Sequence, residues 1–148
     1  MVEVVGVRIT TDGFSKLIFD LGELEDVPKA VAEDILNAQA AVIEDAQKKT
    51  AREMGVYRTG ALVRSIKRGK VVKTKSGYAI YVVPSGTVSR GKRSRKTVNM
   101  TEIAFLNEYG THKQPARPFI KTANERAAPE AVKAAEKIYN EYLTRKGL

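Results

Sequence analysis

Behind Pro28, the residues Val31, Ile35, Ala38, Val42 and Ala46 recur at steps of three and four. That spacing puts five apolar side chains on one stripe of a helix. Proline loses nothing at a first helical position, because the N–H it lacks would have no intrahelical partner there. Glu33 and Asp34 near the start and Lys48, Lys49 and Arg52 near the end complement the helix dipole. Glu44 with Lys48 and Asp45 with Lys49 stand at i,i+4. The pattern predicts a helix over 28–53, and a helix of that length must bury its stripe on the rest of the chain.

After Gly55 the texture changes to turns and β-formers. "SIKRGKVVKTK", "GYAIYVVP" and "EIAFLNEYG" read as three antiparallel strands, with "KSG" turning between the first two and Pro84 with Gly86 closing the second. The polar, basic stretch "SGTVSRGKRSRKTVNMT" reads as a long exposed loop. Helix returns at "RPFIKTANERAA" after Pro118 and again at Pro129, where Val132, Ala135, Ile138 and Tyr142 share a face. The two prolines imply two helical segments or one kinked helix. Upstream, "VEVVGVRI" reads as a short strand or extended arm. Phe14, Leu17, Ile18, Leu21 and Leu24 favour a short helix, with a second strand as the alternative. The expectation is an α+β fold in one domain, 1–148. Its arm, 1–27, carries a strand and short helix. Its core, 28–148, holds the long N-terminal helix, an antiparallel three- to four-stranded sheet with a long basic loop, and a C-terminal helix packed on the sheet.

Charge is unevenly spread along the 148 residues. Residues 1–56 hold 6 basic and 11 acidic residues, a net of −5, whereas residues 57–148 hold 20 basic and 6 acidic, a net of +14. No carboxylate lies between Glu53 and Glu102. Such a block seeks an anionic neighbour: nucleic acid, a membrane surface or an acidic protein face. No stretch approaches the roughly 18 apolar residues of a membrane span, and the first ten residues lack a basic flank and apolar run. A cytoplasmically made chain with no membrane partner is expected.

Catalytic chemistry finds little to work with. The chain has no cysteine and one histidine, His112, so neither a thiolate site nor a histidine metal cluster can form, and no cofactor is expected. "GTH" is not a nucleophile elbow. Glu102 and Glu108, on one straight strand, would stand about 20 Å apart, too far for a glycosidase pair. No phosphate loop or dinucleotide fingerprint occurs. A nucleic-acid module fits better, because basic residues are joined by Tyr57, Tyr78, Tyr81 and Tyr109 as possible stacking surfaces. The order helix, three strands, helix is also that of double-stranded-RNA-binding domains. Those place a lysine cluster where this chain has Lys121, Glu125 and Arg126. Strand tyrosines, moreover, ordinarily pack in the sheet.

Three motifs read together carry more. "TGALVRSI" at 59–66, "YAIYV" at 78–82 and "IAFLNEYGTHKQPARPFI" at 103–120 resemble the pattern of a tail-component family of long-tailed bacteriophages and prophages, the tail-completion or head–tail joining proteins. The resemblance spans about residues 28–145. Thr59, Gly60, Leu62 and Ser65 match the first motif; Glu108, Tyr109, Gly110 and Thr111 the third; Ala116, Arg117, Pro118 and Phe119 the last. It implies a non-enzymatic virion part, assembled in the bacterial host cytoplasm, that forms a homo-oligomeric ring beside other neck, connector or tail proteins. A basic nucleic-acid-binding module is the alternative, and non-specific DNA contact is compatible with both.

Two physical expectations accompany the resemblance. Between 108 and 119, Gly110 allows a turn closed to other residues, the prolines stiffen the exit, Phe119 anchors the last helix and Arg117 can offer its fork to Glu108. In the basic loop, Arg90, Lys92, Arg93, Arg95 and Lys96 are expected to meet an acidic face of a neighbour. Asp20, Glu23, Glu25, Asp26, Glu33 and Asp34 provide one early in the chain.

Overall fold

A computed structural model of the chain describes residues 2–4, 7–10, 15–20, 27–56, 60–75, 77–89 and 96–147, the first three stretches as backbone only. The elements are β1 (Val2–Val4), β2 (Val7–Thr10), β3 (Ser15–Asp20), α1 (Lys29–Glu53), α2 (Ala61–Ser65), β4 (Ile66–Arg68), β5 (Val72–Lys73), β6 (Gly77–Pro84), β7 (Thr87–Ser89), β8 (Thr97–Asn99), α3 (Met100–Tyr109) and α4 (Phe119–Arg145). This is an α+β arrangement, with the long helix α1 between an antiparallel sheet and the C-terminal helix α4.

The sheet runs β1-β2-β3-β6-β4, with β5 also on β6. Its N-terminal half corrects the helix expected around 14–24. Residues 15–20 are a strand pairing with β6 from Ser15↔Val82 to Asp20↔Gly77; Phe14, Leu21 and Leu24 lie outside the described residues. The segment Ser15–Asp20 is rich in apolar β-formers and too short to bury a helical stripe, so the free edge of β6 decides its conformation. On the other edge of β6, β4 and β5 follow one another, pairing at Ile66↔Pro84 and Val72↔Ala79, with Gly69 N–H donating to Tyr81 O between them. The hairpin into β6 closes where Thr74 N–H donates to Gly77 O at 2.8 Å.

Helix α1 forms as its sequence predicts, but its buried face is wider than the apolar stripe. Ala32, Ile35, Leu36, Ala40, Ile43 and Ala51 are fully buried, together with Gln39 and Gln47, whereas Ala38, Val42 and Ala46 sit at the flank. The glutamines face α4: Gln39 Nε2 donates to Ala131 O at 3.1 Å and Gln47 Nε2 to Asn124 Oδ1 at 3.1 Å. The facing stripe of α4 is Ala123, Ala127, Ala128, Ala131 and Ala135. Small side chains on both helices let the backbones approach closely, and the amides then fix the register between them. The C-terminal helix therefore lies chiefly on α1 rather than on the sheet. It is one helix, not two, with Pro129 inside it on the exposed side.

Two further expectations change. The long basic loop is in part a hairpin, β7 pairing with β8 from Thr87↔Asn99 to Ser89↔Thr97, while Arg90, Lys92, Arg93 and Arg95 lie outside the described residues. The segment 102–110, expected as a third strand, is the helix α3. Asn99 accepts from Thr101 N–H at 2.9 Å as its N-cap, Glu102 stands in the first turn, and Gly110 ends it. "IAFL" is apolar without interruption, so its periodicity fits either structure and the cap decides.

Candidate functional site

The residues matching the family-like motifs converge on the connection from α3 to α4 and on the turn before β4. Gly110 leaves α3 at φ 76°, ψ 176°, a region essentially reserved for glycine. A Cβ there would stand 2.7 Å from Ala116 N and 2.9 Å from Gln114 O. The chain then folds back on itself: Thr111 N–H donates to Gln114 O at 2.8 Å and Gln114 N–H to Thr111 O at 3.2 Å. Gln114 Nε2 donates to Asn107 Oδ1, and Arg117 N–H to Asn107 O at 2.6 Å, tying the return to α3.

Pro118 precedes α4 at φ −76°, ψ 68°, the geometry of an inverse γ-turn, and Phe119 N–H donates back to Arg117 O at 2.8 Å. No side chain at 118 can cap the helix, and the cap comes from α3. Glu108 Oε2 accepts from Ile120 N–H at 2.9 Å and Oε1 from Lys121 N–H at 3.0 Å. Thr122 N–H reaches Pro118 O. Every N–H of the first turn of α4, the groups a helix start normally leaves unpaired, is thus satisfied. Glu108 is buried, and burial pushes its carboxyl above the ordinary 4.5, although the two N–H bonds and the Lys121 charge pull the other way.

This geometry replaces the expected Glu108–Arg117 pair. The carboxylate is committed to α4, and the exposed Arg117 donates through Nη1 to Gly55 O at 3.3 Å, just beyond the end of α1. Phe119 is fully buried at the start of α4, but the helix it was expected to anchor against the sheet lies chiefly on α1. Thr111 holds its turn further by accepting from Lys113 N–H on Oγ1; Ala116 and His112 are exposed. In the first motif, Gly60 opens α2 in the left-handed region at φ 74°. Leu62 is buried, and Ser65 Oγ donates to Leu62 O at 2.6 Å while Ser65 O accepts from Ser85 N–H. Thr59 and Tyr57 lie outside the described residues.

Of what this frame presents outward, the sequence suggests Tyr109 as a surface ring but not Phe105 or Leu106. Phe105, Leu106 and Tyr109 are 49%, 42% and 54% exposed on one side of α3, and the rings of Phe105 and Tyr109 meet at 4.6 Å. An apolar run long enough to cover both faces of a ten-residue helix was the available signal. Of the other tyrosines, Tyr78 packs against the core and Tyr81 is 39% exposed. Lys67, Arg68, Lys70, Lys73 and Lys75 are exposed along the β4–β5 edge, as is Lys96 at the foot of β8.

The arrangement does not bring reactive groups together. The change from strand to helix shortens the axial separation of Glu102 and Glu108 to about 9 Å but leaves them roughly 120° apart around α3. Both oxygens of Glu108 are already bonded. Among the described residues, no three His, Cys, Asp or Glu side chains gather as metal ligands, and no helix is long and apolar enough to cross a membrane.

Residues 15–110 match the model of a family described as "Bacteriophage HK97-gp10, putative tail-component". The matched stretch runs from β3 to the glycine that ends α3. No curated protein and no solved structure matches the chain.

Proposed function

Because the chain belongs to the HK97-gp10-like family of bacteriophage tail components, and so to the virion and the company of other tail proteins, we propose that it is a neck part. On this reading it is a non-enzymatic head–tail connector or tail-completion protein that assembles into an oligomeric ring in the host cytoplasm. The observation that carries the reading is the aromatic face of α3, with Phe105, Leu106 and Tyr109 exposed on a helix whose end is fastened by Gly110 and Glu108. A contiguous exposed apolar patch on a fixed support is a protein-contact feature, and the motif residues around it serve to hold backbone in place. Loss of the gene should leave filled heads and tails unjoined in electron micrographs of lysates, and the protein supplied in trans should restore joined particles. Normal virions from the deleted phage would sink the reading.

A nucleic-acid role is favoured by one observation, the row of exposed cations from Lys67 to Lys75 on the β4–β5 edge. Lysine on an edge also keeps other strands from pairing there. Binding of a random DNA duplex separates the two: phosphate contact alone gives weak, sequence-blind affinity that falls steeply with salt. Tight binding that survives about 200 mM salt would favour the nucleic-acid module.

A further inference from the structure

The α3 knob has a matching receptor on the same chain. Between α1 and α4 runs a groove of about 370 Å³, floored by Ala41, Val42, Ala46 and Ala127, a volume that accommodates large side chains. Its two walls are tied by Arg126 Nη1 and Glu53 Oε2 at 3.0 Å. Its rim carries Asp45 and Glu130, exposed carboxylates without an ion pair among the described residues, and one cation, Lys49, that also makes none. The knob is flanked in the opposite sense. Lys113, exposed in the turn after Tyr109, and Arg117, whose guanidinium donates to Gly55 O, are cations without carboxylate partners among the described residues. An apolar knob with free cations and an apolar groove with spare carboxylates are complementary in both shape class and charge.

Resting on the ring reading above, we propose that Phe105, Leu106 and Tyr109 of one copy seat in the α1–α4 groove of the next copy. The contact pairs Lys113 and Arg117 with Asp45 and Glu130. Knob and groove are different surfaces, so the contact is heterologous: each copy offers one of each to its two neighbours, and repetition closes a ring or extends a filament. Aromatic anchors in an apolar recess supply the affinity, and the rim charges set approach and register.

The chain has no cysteine, so engineered thiols report the contact without background. Phe105→Cys combined with Ala46→Cys should, on mild oxidation of assembled protein, give a ladder of covalent multimers. Each single variant alone should give none. Tyr81→Cys with Ala46→Cys, on the sheet side, is the negative control. Independently, Phe105→Ala/Tyr109→Ala should raise the dissociation constant of self-association at least tenfold by analytical ultracentrifugation, with circular dichroism unchanged. Asp45→Lys/Glu130→Lys should weaken it, and Lys113→Glu should restore part of the loss. Assembly that proceeds without a ladder and is indifferent to the knob substitutions overturns this contact while leaving the ring reading intact. Phe105→Cys alone crosslinking to dimers shows symmetric knob-to-knob pairing and also overturns it. A chain that stays monomeric at the highest attainable concentration overturns contact and ring together.

Discussion

Replacing Glu108 by alanine removes the side-chain cap of α4. Two N–H groups in the first turn lose a charged acceptor, that of Ile120 within the protein interior. A lost helix cap ordinarily costs about 0.5–2 kcal/mol, and bonds to a charged acceptor about 1.5–3 each. Against that stands the relief of a buried carboxylate whose desolvation already raises its pKa. The net loss should be about 2–3 kcal/mol, or roughly 4–12 °C in Tm for a chain of this size. Urea denaturation followed by circular dichroism at one fixed protein concentration measures it. The pH dependence gives a sharper check. Because the folded pKa lies above 4.5, the stability tied to its titration is fully present below about 4.5 and is lost as pH rises through the folded value. Referred to Glu108→Gln, which cannot ionise, the wild-type advantage should therefore shrink over the interval in which pH rises from about 4.5 through the folded value. An advantage that grows over that interval would mean that the helix start outweighs burial, and the account of this carboxylate would be wrong.

Gly110→Ala should cost about 2–3 kcal/mol or more, because the new Cβ meets backbone at 2.7 Å; equilibrium denaturation tests it, and a loss under about 1 kcal/mol contradicts the close approach. Phe119→Ala empties a fully buried site and should cost about 3–5 kcal/mol, read in the same assay. Pro129→Ala restores a helical N–H on the exposed side of α4 and should raise the denaturation midpoint, since proline in a helix interior costs up to about 3 kcal/mol relative to alanine. An unchanged midpoint would mean that the proline's restriction of the unfolded chain offsets the missing bond.

Local signals proved readable where they were redundant. Pro28, the dipole-ordered charges and helical spacing all indicated α1, and α1 is there. Which of its faces is buried was less legible, because Gln39 and Gln47 look like solvent residues until the amide acceptors on α4 are in view. For α3, unbroken hydrophobicity erased the period that separates helix from strand, and the Asn99 cap was the deciding local feature. The strand at 15–20 was settled by the edge of β6, whose paired residues lie 57 to 67 positions further along the sequence. In the site, Gly110 and Phe119 follow from their own chemistry. The partner of Glu108 does not: its charge suggested Arg117, and the uncapped N–H groups behind Pro118 claimed it instead.

That claim ties two helices together in time as well as in space. A cap supplied twelve residues upstream is available to α4 only once α3 has formed and the intervening chain has closed into its turn. With no side-chain cap at Pro118, the first turn of α4 depends on Glu108 for its N–H groups and gains that stability as α3 completes. Because the same helix also displays Phe105, Leu106 and Tyr109, a copy whose α3 has not folded offers neither the aromatic face nor a finished C-terminal helix. On the proposed contact between copies, folding would then act as an inspection step, because a copy without a folded α3 has no aromatic face to seat in its neighbour.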